Sequence, residues 1–215
     1  MSAVRGRFIS LEGGEGAGKS TQVKRLAARL AEHGIETVLT REPGGTPGAE
    51  AIRNLLVSGD TGRWDGMTET LLHFAARREH VEKLVRPALT RGTWVITDRF
   101  ADSTMAYQGY ASGAGRETVE KLYALVLGDF RPDLTLILDL PVEVGLARAR
   151  SRMQGQAAAE DRYERMGEAF HRALRDAFHD IAAREPQRCR LIDASGDIDK
   201  VADALWQAVA AEFKL

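Results

Sequence analysis

Eight residues near the start, Gly13-Gly14-Glu15-Gly16-Ala17-Gly18-Lys19-Ser20, constrain the fold more than any other stretch. They fit the pattern G-x-x-x-x-G-K-[ST], which works only between a strand and a helix. The setting is right. Phe8, Ile9 and Leu11 give Arg7–Glu12 the apolar pattern of a strand. Lys19–His33 follows with Val23, Leu26, Ala27 and Leu30 on one helical stripe, and Gly34 stops it. Glycines let consecutive backbone N–H groups turn toward phosphate oxygens without Cβ collisions, and the helix N-terminus adds its positive dipole end. Lys19 then supplies a mobile charge for β- and γ-phosphates, and the Ser20 hydroxyl can ligate Mg²⁺. The nucleotide site is expected to comprise Gly13, Gly14, Glu15, Gly16, Ala17, Gly18, Lys19, Ser20 and Thr21.

Short β-type runs alternate with helical patterns along the rest of the chain. Strands are predicted at Glu36–Thr40, Thr93–Thr97, Leu134–Leu140 and Cys189–Asp193. Helices are predicted at Ala49–Val57, Met67–Arg91 (bent or broken near Pro87), Arg116–Gly128, Pro141–Arg152, Arg162–Arg184 and Ile198–Phe213. Asp98–Gly115 reads as a polar connection with some helix, and Met153–Asp161 as a loop able to act as a lid. This alternation predicts an α/β fold: a five-stranded parallel sheet with helices on both faces, and ligands beyond the carboxyl ends of the strands. A length of 215 residues suits one domain, 1–215.

Composition narrows the function classes. Thirty basic against 31 acidic side chains leave a net charge of −1, without the basic excess of a nucleic-acid binder. The single cysteine, Cys189, forms no internal disulfide and no multi-Cys zinc site. Apolar runs such as Leu134–Leu138 are far shorter than a membrane span, and Met1–Ser10 lacks a signal-peptide core. A soluble, cytoplasmic protein that needs no nucleic acid or membrane is expected.

The phosphate loop alone does not choose a reaction, because switches, motors and small-molecule kinases share it. The arginines do. Arg41 heads Arg41-Glu42-Pro43-Gly44-Gly45 after the second strand, and Arg99 follows Asp98 after the third. Arg148, Arg150 and Arg152 end the helix before the lid, and Arg53 and Arg77 add to the set. Guanidinium groups clamp phosphates bidentately, so a surplus beside one triphosphate site implies a second phosphate-bearing ligand. Phosphoryl transfer needs two aligned anions with their charge neutralised, and Asp98 suits Mg²⁺ through water. A lid closing over both would exclude water and favour transfer over hydrolysis.

The ordered set Gly13–Ser20, Arg41-Glu42-Pro43-Gly44-Gly45-Thr46, Asp98-Arg99-Phe100 with Ser103, Ala106-Tyr107-Gln108-Gly109 and Arg131-Pro132-Asp133-Leu134-Thr135 resembles the thymidylate kinase family, from about Phe8 to Asp193. The resemblance implies a P-loop nucleoside monophosphate kinase fold with a short lid at about 148–165, acting as a homodimer. It implies transfer of the γ-phosphate of ATP to dTMP with Mg²⁺ at Ser20 and Asp98, in dTTP synthesis. By matching position, Glu15 would hold the deoxyribose 3′-hydroxyl, and Arg41, Arg53 and Arg99 the acceptor phosphate. Ser103 would join the substrate site, Arg77 and Gln108 would bond the thymine edge, and Tyr107 would crowd the 2′ position.

Two departures stand out. Many relatives carry an arginine inside the phosphate loop, where this chain has Glu15, Gly16 and Ala17. It therefore resembles the branch with lid arginines, and Arg148, Arg150, Arg152 and Arg162 are its catalytic candidates beside Lys19, Asp98 and Arg99. The stacking phenylalanine of the family lies four residues before the Arg77 position, where this chain has His73; Phe74 is one step on and is the expected stacking ring. The other histidines, Cys189, Trp94 and Trp206 read as packing or surface residues, and Trp64 as a loop anchor. Two alternatives remain at this point. One is a kinase of another nucleoside monophosphate or of a nucleoside; the other is a GTP switch, against which no Asn-Lys-x-Asp segment is found.

Overall fold

Five parallel strands, β1 (Phe8–Gly13), β2 (Thr37–Arg41), β3 (Trp94–Asp98), β4 (Leu134–Asp139) and β5 (Cys189–Asp193), form one sheet in the order β2-β3-β1-β4-β5. The computed structural model describes residues 5–60, 62–153, 162–163 and 165–215, without the side chains of Arg152 and Met153. The expected lid loop at 153–161 therefore lies outside the described residues, apart from the backbone of Met153.

The sheet matches the α/β expectation, and its strands show why they read so apolar. Alternate residues face opposite layers. Ile9, Leu11, Ile96, Leu134, Leu136 and Leu138 pack under α1 (Lys19–Glu32) and α9 (Ile198–Phe213) with Leu26, Leu30, Leu205 and Val209. On the opposite face Phe8, Val95 and Phe100 meet Val81, Val85, Leu89 and Leu127, while Ile137 meets Leu174, Phe178 and Ile181 of α8 (Glu168–Arg184). The edge strands β2 and β5 are partly exposed. Among the described residues no helix is long and apolar enough to cross a membrane.

Several boundaries differ from the sequence reading for identifiable reasons. The helical course predicted at Met67–Arg91 does not break at Pro87. It runs as α3 (Gly66–His80), a π-helical turn Val81–Val85 and α4 (Arg86–Thr90). The widened turn just before Pro87 absorbs the residue that cannot donate a backbone hydrogen bond. Asp98–Gly115 is mostly helical, as α5 (Ala101–Thr104) and a second π-helical stretch, Met105–Ala111. Its polar residues are buried, which removes the apolar periodicity that would have announced a helix: Ala106, Tyr107, Gln108 and Gly109 are all inside. The predicted helix Arg162–Arg184 begins only at Glu168, since Arg162 and Tyr163 lie in turns and serve the site described below. The remaining helices are α2 (Pro47–Val57), α6 (Arg116–Leu127) and α7 (Val142–Met153).

Strand register fixes the position of the site. Leu11 and Arg41 both pair with Asp98, and Gly13 pairs with Leu138. The phosphate loop, Arg41 and Asp98 thus emerge side by side at the carboxyl edge of the sheet.

Candidate active site

The loop after β1 is held by its glycines. Gly13, Gly16 and Gly18 have φ of 129°, 70° and 89°, which side chains resist. A Cβ on Gly16 would lie 2.0 Å from the Gly145 carbonyl oxygen, and one on Gly145 would lie 2.5 Å from the Glu15 carbonyl oxygen. Loop and first turn of α7 therefore touch backbone to backbone. The Lys19 ammonium donates to the carbonyls of Gly13 (3.1 Å) and Gly14 (2.8 Å). Burial, helped by repulsion from Arg99, lowers its pKa to about 8 against the pull of Glu15, Asp98 and Glu12. The Ser20 hydroxyl donates to Asp98 Oδ2 at 2.6 Å, uniting the two expected metal-site residues. One hydroxyl and one carboxylate are hard oxygen donors that suit Mg²⁺, an ion that keeps waters and phosphate oxygens for its remaining positions. Among the described residues no group of three or more His, Cys, Asp or Glu could cage a metal alone.

Arg99 occupies the centre. Its backbone is left-handed, with φ of 71°, a conformation that costs a non-glycine residue on the order of 1 kcal/mol or more. The buried Glu12 helps to hold that turn, accepting from the Phe100 N–H (2.7 Å) and the Ser103 hydroxyl (2.5 Å). Burial and the nearby Asp102 raise the Glu12 pKa. The guanidinium of Arg99 reaches the Gly13 carbonyl, Ser103 Oγ (both 3.1 Å) and Glu15 Oε1 (2.7 Å), and lies over the Tyr107 ring. Tyr107 also donates to Glu15 Oε1 at 2.8 Å. Burial alone would raise the pKa of Glu15, but Arg99, Lys19 and the Tyr107 hydroxyl bring it down to about 2, so the carboxylate stays ionised. Lys19, Ser20, Asp98, Glu15, Arg99, Ser103 and Tyr107, all named from the sequence, lie together here.

A second candidate pocket is marked by a buried polar cluster along α3, whose inward face carries Glu69, His73 and Arg77 at four-residue intervals. Arg77 is fully enclosed. Its Nε donates to Glu42 Oε2 (2.7 Å), and NH2 donates to the Phe100 carbonyl and to Thr104 Oγ1. Glu42 is shared with His80 Nδ1 at 2.9 Å, and His80 Nε2 contacts Thr40 Oγ1 at 2.7 Å, so His80 is a satisfied core histidine as expected. Gln108, one helical turn beyond Thr104, donates through Nε2 to Glu69 Oε1 at 2.7 Å. Two buried atoms here have no partner among the described residues: Arg77 NH1, a donor, and Gln108 Oε1, an acceptor. Burying such groups unpaired costs about 1–3 kcal/mol each, so their retention points to a ligand.

Two expectations need correction. Phe74 is 2% exposed, packed edge-on against Tyr123 and under Arg77, so it faces the core. The ring among the site's arginines is His73, whose Nε2 lies 3.1 Å from the Tyr163 hydroxyl. Burial, together with the charges of Arg77, Arg162, Arg99 and Arg53, lowers its pKa to about 3, leaving the imidazole neutral. The one-residue step of about 100° along a helix separates the two rings. Arg162 is the second correction. Its guanidinium is buried, donating to Glu69 Oε2 (2.5 Å) and to the carbonyls of Leu56 and Asp60, a wall of this second pocket rather than a group at the phosphate loop.

The other arginines are spread around the site. Arg53 donates to the Pro43 carbonyl and lies close enough to His73 to repel its proton. Arg41 pairs with Glu50 at 3.1 Å on the exposed rim. Arg148 donates to the Ala194 carbonyl beyond β5, Arg150 is exposed on α7, and the Arg152 side chain lies outside the described residues. The sequence reading missed Glu12, Glu42, Glu69 and Tyr163 as site residues. Each acid balances a buried arginine or a buried amide donor, and only the count of inward arginines hinted at them.

The chain as a whole has counterparts among known proteins. The family model for thymidylate kinase matches residues 11–205. A thymidylate kinase of Caulobacter vibrioides is 54% identical over 212 residues, covering 99% of this chain and all of the relative. One from Bradyrhizobium sp. (strain ORS 278) is 53% identical over 205 residues, covering 95% of this chain and 90% of the relative. Among solved structures, the thymidylate kinase of Ehrlichia chaffeensis superposes with a TM-score of 0.74 at 36% identity, covering 95% of this chain and 99% of that one.

Proposed function

The chain belongs to the thymidylate kinase family and phosphorylates dTMP to dTDP at the expense of ATP, and from that premise we propose which of its residues perform the transfer. The observation that carries the assignment is the unpartnered pair in the second pocket. A thymine edge offers a carbonyl acceptor next to an imino N–H donor, the complement of Arg77 NH1 and Gln108 Oε1. Neutral His73 supplies the flat face against which the ring lies, and Arg53 and Arg41 attract the monophosphate. Glu15, kept ionised, accepts the sugar 3′-hydroxyl, and the Tyr107 ring fills the space a 2′-hydroxyl would need.

The donor nucleotide enters from the loop side. Loop N–H groups and the Lys19 ammonium bracket its phosphates, and Arg99 stands where the two phosphate chains meet. Ser20 and Asp98 would hold Mg²⁺, which when bound neutralises charge on the phosphate oxygens. Arg148 and Arg150 on α7, with Arg152, are the arginines left to serve the transferring group from the lid, a segment proposed at about 148–165 of a single domain spanning 1–215. Met67 and Leu71 on α3 and Leu125 on α6, 44%, 49% and 81% exposed, support a homodimer through that apolar face. A cytoplasmic site of action, supplying dTTP synthesis, fits the reading.

Steady-state kinetics on dTMP, dUMP, dCMP and AMP with ATP and Mg²⁺ test this assignment. Gln108→Leu should raise the KM for dTMP by roughly 10–100-fold, with the KM for ATP unchanged. An unchanged dTMP KM would sink the placement of the base.

A further inference from the structure

A glutamine side chain is ambiguous as a reader of hydrogen-bonding groups. Rotating the amide by 180° exchanges a carbonyl acceptor for an NH2 donor with almost no change in shape. Gln108 lies fully buried in the second pocket, and one end of its amide meets Glu69 Oε1 at 2.7 Å. That oxygen also receives the Tyr163 hydroxyl at 2.8 Å, and the other Glu69 oxygen receives Arg162 NH2 at 2.5 Å. Arg162, Tyr163 and Gln108 all donate to Glu69, whose oxygens act here as acceptors. Were the amide reversed, its carbonyl oxygen would face a carboxylate at hydrogen-bond distance, a buried repulsion without a compensating donor.

We propose that Glu69 is a specificity-determining positioning residue that locks the Gln108 amide so that only its acceptor faces the base. The proposal rests on the reading of Arg77 and Gln108 as the groups that meet the base edge. Thymine and uracil present an N–H at the ring position facing Gln108, and cytosine presents a lone pair there. A fixed acceptor welcomes the first and repels the second. A freely turning amide would serve either, so discrimination belongs to Glu69 as much as to Gln108. Glu69 does not touch the base. Arg162 and Tyr163, which also donate to Glu69, contribute through it.

The test is the ratio of kcat/KM for dTMP to that for dCMP. In Glu69→Gln, residue 69 can donate or accept, so the Gln108 amide is free to turn. The ratio should contract at least threefold, with about tenfold expected, partly through a rise in the absolute kcat/KM for dCMP. Mere structural damage lowers both substrates together and cannot produce that rise. A ratio within about threefold of the parent overturns the lock. Should Glu69→Gln fail to fold, the double substitution Glu69→Met with Arg162→Met removes the buried charges together, and the same ratio is read against the same threshold. Gln108→Leu separates the two levels of the argument. If it leaves the ratio untouched, the base-edge reading itself falls. If it collapses the ratio while Glu69→Gln does not, only the lock falls.

Discussion

The two ends of the cleft are built on different physics. At the phosphate end, charge is supplied by residues adjacent in the chain, Gly13–Ser20 and Asp98–Arg99, and the positive groups rest on backbone carbonyls and on Glu15. At the base end, polar groups from α3, β2's exit and the second π-helical stretch are sealed from water and fixed by Glu42 and Glu69. The first region works through the amount of charge, the second through the direction of donors and acceptors. Phosphates demand neutralisation and tolerate some latitude in angle. A flat base is recognised only if each hydrogen bond points the right way, which on the proposed reading is why Glu42 and Glu69 hold their neighbours in place.

The comparison breaks most visibly at Lys19. Lys19→Ala should lower kcat by roughly 10³-fold or more while dTMP binding, followed by calorimetry, changes little. If dTMP affinity falls as steeply as turnover, the two ends are not separable in this way. At the base end, His73 and Phe74 should part company. Phe74→Ala should cost about 3–5 kcal/mol in denaturant unfolding, as expected for an aromatic ring removed from a core. His73→Ala should cost under about 1 kcal/mol and instead raise the KM for dTMP. The opposite pattern would restore Phe74 as the ring that faces the base.

Charge at the phosphate end also predicts a pH profile. The Lys19 ammonium, with its pKa lowered to about 8, is the form that meets phosphate. In the free enzyme it loses its proton as pH rises through that value, so kcat/KM for ATP should fall toward tenfold per pH unit above about 8. A flat profile to pH 9.5 would contradict the burial of this amine. The smallest effect is expected at Tyr107→Phe, which removes one of the two donors on Glu15 Oε1. Arg99 remains, so kcat/KM for dTMP should drop only about 3–10-fold.

The same contrast explains what could be read before the structure was known. The phosphate loop announces itself because its chemistry needs closely spaced glycines in one short stretch, and the strand before it is buried on both faces. Asp98 and Arg99 were legible for a related reason: one ends a buried strand and the other follows it directly. The base pocket is assembled from residues far apart in the chain, such as Glu69, Gln108 and Arg162, and hydrophobic periodicity carries no trace of a buried ion pair. The π-helical stretch Met105–Ala111 hid for that reason, because its inward residues include Gln108. His73 and Phe74 were misjudged because adjacent residues on a helix face different surroundings, and one step decides which ring meets the site's polar groups and which the aromatic core.

The reciprocal approach of Gly16 and Gly145 has a mechanical consequence. With main chain pressed on main chain and no side chain to cushion it, the start of α7 acts as a fulcrum seated on the nucleotide cradle. The helix bearing Arg148 and Arg150 cannot tilt there without dragging the cradle along. Any phosphate seated in that loop would therefore share its movement with those guanidinium groups, and a single methyl group at either glycine would pry the two segments apart.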